Sequence, residues 1–237
     1  MTQPFRGGAA SYLSPLWPEL KIRFERDHLS VECGRSYQTL SNAPFRGGPV
    51  HGERFVNWKV PLNYDCTDPA EMMRQALNGW GYDPQTTVGL QTAAHLTHAS
   101  FAEEEGDECR LFVCASAGTG NAARAGVLRE TFSAYEPGTV NIILLIDGQM
   151  TESAMVNAII SATEAKSAAF ADLDIRDHSH GCTATGTSTD AVLVAVSQSE
   201  GYGRVHRYAG VATTIGNAIG RLVYAAVHEA VRTQGER

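Results

Sequence analysis

Long apolar runs are missing from this 237-residue chain. No uncharged stretch approaches the roughly 18 residues that a membrane-spanning helix needs. The longest candidate, Val140–Ile146, is interrupted by Asn141 and closed by Asp147–Gly148. The first residues hold no apolar segment of the kind a secretory signal carries, so no export signal is expected. Cysteines are few and odd in number: Cys33, Cys66, Cys109, Cys114 and Cys182, without a C-x-x-C pair. Neither a zinc ribbon nor a dithiol redox motif is signalled, and a reduced, cytoplasmic protein is the expectation. Positive charge is also scarce: 19 Lys and Arg against 26 Asp and Glu give a formal net charge of −7. That balance argues against a binder of bulk nucleic acid or of an anionic membrane. With 43% hydrophobic and 19% charged residues, the chain has the composition of a folded globular protein, not of a disordered or fibrous one. At this length burial suffices for folding without disulfides or a structural metal.

What the chain has in excess is glycine, 23 residues in all and about 10% against an ordinary ~7%, gathered in clusters. Residues 1–20, with Pro4, Pro15 and Pro18, read as an irregular N-terminal arm. Lys21–Arg26 and His28–Gly34 alternate around Asp27 as a hairpin. Ser36–Pro44 and Arg54–Pro61 are further strand candidates, separated by a turn at Gly47–Gly48–Pro49. Asp68–Asn78 carries the marks of a short helix, with Pro69 in its first turn and Gly79 past its end. Thr86–Ala94, Arg110–Ala115 and Val140–Ile146 are β-rich, the last suited to a strand buried on both faces. Thr151–Asp172 is the best helix, capped by Thr151. Ala191–Val196 is another buried strand, and Thr214 caps a last helix through about Arg232, with Ile215, Ile219, Leu222, Val223 and Val227 on its apolar side. The expected fold is α/β: a single domain over residues 1–237 with a mixed β-sheet and packed helices, its N-terminal half strand-rich.

Three polar segments near the ends of these strands are candidates for chemistry. Ala115–Gly126 follows a strand and offers Asn121 and Arg124 as donors, but Gly118 and Gly120 do not complete a G-x-G-x-x-G dinucleotide motif. Gly181–Asp190 holds five hydroxyl side chains just before a buried strand. Such a loop can bind amide or carbonyl groups, or supply a nucleophile with Asp190 orienting it; it can equally be a turn whose hydroxyls satisfy their own backbone. On the long helix, Asn157, Ser161 and Glu164 form a polar stripe. Lys166 lies about 200° round from Glu164, so a helix packed on both sides must bury one of the two charges, and a buried charge is a functional candidate. Asp177-His-Ser-His180-Gly-Cys182 contains metal-ligand types, yet such spacing is common in ordinary loops, and no metal site is expected. His51, His95 and His98 read as structural.

These residues resemble one family, the adenosylcobinamide amidohydrolases (CbiZ family). The resemblance rests on an ordered set of segments. These are Leu40-Ser-Asn-Ala-Pro44 with Gly47–Gly48; Gly118-Thr-Gly-Asn-Ala122; Gly138-Thr-Val-Asn-Ile-Ile-Leu-Leu-Ile-Asp-Gly148; Met155–Lys166, ending Thr-Glu-Ala-Lys; Ala184-Thr-Gly-Thr-Ser-Thr-Asp190; and Tyr208-Ala-Gly with Ile215–Gly216 and Gly220. It implies a corrinoid-salvage enzyme of cobalamin metabolism. Such an enzyme hydrolyses the amide to the aminopropanol arm of adenosylcobinamide, giving adenosylcobyric acid and 1-amino-2-propanol. No cofactor of the protein's own is implied, since cobalt arrives with the corrinoid substrate; the alternative is a corrinoid- or nucleotide-binding protein without catalysis. The expected catalytic residues are Glu164, Lys166 and Asp190. Glu164 or Asp190 would activate water, while Lys166 would steady the oxyanion or protonate the departing amine. Asn121, Asn141, Thr185, Gly186, Thr187, Ser188 and Thr189 are the expected substrate-binding residues. The competing route makes Thr187 or Ser188 a nucleophile. A homo-oligomer is left open, since the Gly216–Gly220 spacing can pack helices within or between chains.

Overall fold

The computed structural model describes residues 2–60, 68–129 and 138–236, and the structural statements below concern those residues. The chain runs through β1 (Ser11–Leu13), β2 (Lys21–Phe24), β3 (His28–Ser41), β4 (Gly48–Lys59), α1 (Pro69–Trp80), β5 (Thr87–Thr92), β6 (Ser100–Gly106), β7 (Cys109–Gly118) and β8 (Ala122–Ala123). It continues through β9 (Thr139–Asp147), β10 (Gln149–Met150), α2 (Glu152–Asp172), β11 (Gly186–Thr187), β12 (Ala191–Val196), β13 (Val205–His206) and α3 (Thr214–Thr233). This is the expected α/β architecture with a strand-rich first half. No helix among the described residues is long and apolar enough to cross a membrane.

One nine-stranded mixed sheet dominates, in the order β1-β2-β3-β12-β9-β7-β6, with β4 on β3 and β5 on β4. Strand β3 is long because it serves two sets of neighbours. Residues 29–32 pair with β2, and residues 38–41 pair with β12. A register shift between Glu32 and Tyr37 against β4 separates the two halves, and Gly34 adopts a positive φ of 72° there. A bulge of this kind bends a strand and strengthens its twist, so the sheet curls. The sequence pattern divides this strand at Gly34, where the structure only bends it. The first twenty residues also contribute more than an irregular arm: Ser11–Leu13 pairs with Lys21–Arg23, and Phe5 and Trp17 are buried.

The sheet has two apolar faces, and β9 shows why. All nine of its residues are buried. Ile142, Leu144 and Ile146 face α2 and α3, where they meet Ala158, Ala162, Ile219, Val223 and Val227. Ile143 and Leu145 point into the concave side with Trp17, Phe55, Leu90, Phe101 and Phe112. The period-2 alternation of a strand thus turns a continuous apolar run into contacts with two cores, as expected for Val140–Ile146. A third cluster, Phe45, Val56, Met73 and Leu77, lies under α1.

Helix ends follow the capping rules with small shifts. Asp68 accepts the Glu71 N–H at 2.9 Å, and α1 runs through Gly79 to stop at Gly81, which is left-handed at φ 75°. Thr151 caps α2 by accepting from Ala154 N. Helix α3 is capped one residue before the expected position: Thr213 accepts the Gly216 N–H at 3.1 Å and donates to Gly210 O at 2.8 Å. Strand β6 has no counterpart in the sequence reading. It turns into β7 through Asp107 and Glu108, both at positive φ, and this pair lacks the Asn-Gly signature that marks such turns.

A polar network crosses the concave core. Asn141, 1% exposed, donates both amide hydrogens, to Asn57 Oδ1 and to Gln91 O, each at 2.8 Å. Asn57 in turn donates to Ser116 Oγ at 2.8 Å. Strands β4, β5, β7 and β9 are therefore stapled across the curl. Replacing Asn141 by Leu leaves buried acceptors without donors, which costs about 1–3 kcal/mol. The expected result is a lower urea midpoint at unchanged m-value. Asn57→Leu is expected to behave alike, with the double variant less destabilised than the sum of the two.

Candidate active site

The parallel strands β9 and β12 are joined through α2. This places the helix's inward face over the starts of both strands, and there the candidate site forms. Lys166, 6% exposed, points inward from α2 and pairs with Asp190, whose side chain is 12% exposed. The ammonium–carboxylate bond is direct. Of the two helix charges, Lys166 is the buried one. Glu164, two residues earlier, stands exposed on the opposite side of α2. It lines a groove with Ala168, Asn217, Gly220, Arg221 and Tyr224, so the structure does not bring it to the Lys166–Asp190 pair.

Asp190 accepts from four groups. Its Oδ1 takes the Val140 N–H at 2.9 Å and the Thr187 hydroxyl at 2.5 Å. Its Oδ2 takes the Thr187 N–H at 3.0 Å and Lys166 Nζ. The loop residue Gly186 packs against this pair so closely that a Cβ there would collide with both Asp190 Oδ2 and Lys166 Nζ. Here glycine is required by space, since its backbone carries no positive φ. A residue absent from the expected site holds the other side of Asp190. Asn42, just past β3, donates to the Asp190 carbonyl and accepts the Val192 N–H, both at 2.8 Å. Its only trace in the sequence is its place in the Ser-Asn-Ala-Pro segment; the contact spans 148 residues of chain.

The loop hydroxyls sort into distinct roles. Thr185 accepts the Ala125 N–H at 2.9 Å, and its carbonyl accepts from Ser167 Oγ at 2.9 Å. Thr189 donates to Gly138 O at 2.8 Å while its carbonyl accepts from Thr139 Oγ1 at 2.7 Å. These two fix the loop to its neighbours. Ser188 is exposed and accepts from Asn121 Nδ2 at 2.7 Å. Thr187 alone in the loop binds a carboxylate through its hydroxyl, and it is half-buried. Gly186 and Thr187 pair as β11 with Ala123 and Ala122 of β8, which draws the segment around Asn121 to the site. Gly138, at φ 144° and hard against the Asn121 side chain, also lines a cleft of about 170 Å³ with Ala94, His95, Gly118, Thr119 and Gly120. Of the expected substrate-binding residues, Asn121, Gly186, Thr187, Ser188 and Thr189 gather here. Thr185 lies one step back, and Asn141 is committed to the core staple.

The Asp177–Cys182 segment has a structural part in this neighbourhood. Among the described residues no three His, Cys, Asp or Glu side chains converge as a metal site. Asp177 is fully buried. Its carboxylate accepts from the Arg124 and Ser179 N–H groups at 2.9 and 3.0 Å, from His180, and from Arg129. Burial raises its pKa, but these hydrogen bonds and the Arg129 charge outweigh that and hold it at about 2, below the ordinary 3.8. The depressed value means that the charged form stabilises the fold above about pH 4 and loses that contribution as pH falls towards about 2. Asp177→Asn is therefore expected to lower the urea midpoint at pH 7, with the gap from the wild type narrowing below pH 4. Gly186→Ala is expected to destabilise by about 1–3 kcal/mol, as overpacking does, and to displace the ion pair. A stable variant with wild-type turnover would contradict that packing.

The family model for adenosylcobinamide amidohydrolase (CbiZ) matches residues 16–237. An uncharacterized protein of Methanocaldococcus jannaschii is 35% identical over 178 residues, 68% of this chain and 68% of that one. An adenosylcobinamide amidohydrolase of Methanosarcina mazei is 29% identical over 196 residues, 80% of this chain and 88% of its own. One from Halobacterium salinarum is 29% identical over 198 residues, 79% and 76% of the two chains.

Proposed function

The chain belongs to the adenosylcobinamide amidohydrolase family, and from that premise we propose that it cleaves the amide between the corrin ring's acid side chain and the aminopropanol arm. The products are adenosylcobyric acid and 1-amino-2-propanol, and the role is corrinoid salvage for cobalamin synthesis. The observation that carries this reading is the largely buried Lys166–Asp190 pair beside a partly exposed hydroxyl loop. Placing a buried charge pair with both partners aimed at one loop costs desolvation, and such an arrangement is common where a site must move protons.

Amide hydrolysis needs a nucleophile, a donor for the tetrahedral oxyanion and an acid for the departing amine. Asp190 and Lys166 supply a proton acceptor and a positive charge within one hydrogen bond of each other. Ser188 supplies an exposed hydroxyl at the rim, held from below by the buried Asn121 amide, suited to the amide-rich edge of a corrin. The 170 Å³ cleft beside Gly138 is far too small for the ring, so in this reading it takes an arm of the substrate while the ring stays outside. The cobalt comes with that ring, and the reading calls for no cofactor bound by the protein itself.

Incubation with adenosylcobinamide tests the reading directly, by chromatography of the corrinoid and assay of the released amine. The expected result is stoichiometric adenosylcobyric acid and 1-amino-2-propanol. Lys166→Met and Asp190→Asn, checked for folding by circular dichroism, are expected to lose about 10²-fold or more in kcat, the scale of general acid–base groups. Glu164→Gln, on the far side of α2, is expected to keep turnover within a few fold. Intact corrinoid after prolonged incubation with folded wild-type protein would favour a binding protein without catalysis.

A further inference from the structure

Resting on that reading, we propose that the Thr187 hydroxyl is the nucleophile, and that turnover passes through an ester between cobyric acid and Thr187 Oγ1. The account of the Asp190 acceptors carries this. A carboxylate offers about four lone-pair directions, and here protein donors occupy them all: Val140 N–H, Thr187 N–H, Thr187 O–H and Lys166 Nζ. A water activated by Asp190 would first have to displace one of these. The Thr187 hydroxyl already stands in the position of such a water, 2.5 Å from Oδ1. It is the donor among the four that becomes an oxygen nucleophile on giving its proton to this carboxylate.

The neighbouring hydroxyls lack that arrangement. Ser188 receives its bond from Asn121, Thr189 gives its proton to a backbone carbonyl, and Thr185 accepts from a backbone N–H. Among the described residues none of them touches an acid. Nucleophile next to base, with the base held by a third group, is the geometry of covalent catalysis; here Lys166 is the third group. Thr187 and Asp190 are both half-buried, whereas Lys166 is buried, so the hydroxyl and its base lie on the solvent side of the ammonium. Because Ser188 Oγ accepts from Asn121 Nδ2, its own hydrogen is left to donate towards a developing oxyanion.

The steps balance. The Thr187 O–H bond breaks, its proton passes to Asp190, and Oγ1 bonds to the amide carbon. Collapse of the tetrahedral adduct breaks the C–N bond, and the amine leaves with that proton. Water then adds to the ester carbon, its proton passing to Asp190; collapse of the second adduct breaks the C–Oγ1 bond, Thr187 Oγ1 takes that proton from Asp190, and cobyric acid departs.

The test is a single turnover of wild-type protein with adenosylcobinamide, quenched in acid and read by intact mass and peptide mapping, together with steady-state turnover in hydroxylamine. The expected results are a cobyric acyl adduct on the peptide that holds Thr187 and a cobyric hydroxamate whose share rises with hydroxylamine. Thr187→Ser is expected to retain turnover and the adduct, and Thr187→Ala to lose at least about 10³-fold with an unchanged circular dichroism spectrum. Wild-type cleavage without adduct or hydroxamate would overturn the inference even if Thr187→Ala were inactive, since Thr187 would then only orient Asp190. Absence of any cleavage by the wild type would instead remove the amidohydrolase reading beneath it.

Discussion

The pairing of Lys166 with Asp190 is the constraint around which the site is arranged. A charge pair with so little exposure is stable only when its remaining hydrogen-bonding positions are filled, and the surrounding chain is shaped to fill them. Val140 at the start of β9 and Thr187 in β11 supply N–H groups. Asn42 clamps the Asp190 backbone from the neighbouring strand end. Gly186 supplies the absence of a side chain, because any Cβ would occupy the space of the pair. Three separate stretches of sequence, around Asn42, Val140 and Gly186–Thr187, thus meet about the Asp190 side of the pair.

That meeting depends on the sheet. Strands β9 and β12 lie side by side and parallel, so the chain has to cross back over the sheet between them, and α2 is that crossover. Its inward face is Ala-rich, with Ala154, Ala158, Ala162, Ala165 and Ala169 all buried. Small side chains let the helix lie close to the strands, which is how a lysine on it reaches a carboxylate at the start of β12. On the concave side the Asn57–Asn141–Gln91 staple holds the curl. The polar residue that interrupts the most apolar strand therefore belongs to the architecture and lies outside the hydroxyl-rich loop.

Much of this was legible because it is local. The alternation and the apolar run of β9, the Thr cap of α2 and the extent of α1 follow from short-range chemistry, and their positions in the structure differ from expectation by a residue or two. The hydroxyl-rich loop stands out by density alone, and the 200° separation of Glu164 and Lys166 requires one to be buried once the helix is packed on both sides. Which one it was depended on where the sheet lies. Asn42 carries no local signal because its partners are about 150 residues away, and β6 carries none because its Asp107–Glu108 turn holds no glycine.

By itself the sequence determined the fold class, the main elements, the loops rich in Gly, Thr and Asn, and the family whose motifs they carry, since each is written in composition and in spacing along the chain. The tertiary structure decided which of those polar residues meet. It drew Lys166, Asp190 and Thr187 into one cluster, left Glu164 on the outer face, and turned Asn141 into the core. The physical reason is that hydrogen bonding and desolvation depend on distances across the fold, and those are set by strand order and helix crossover. Residue identity along the chain does not contain them.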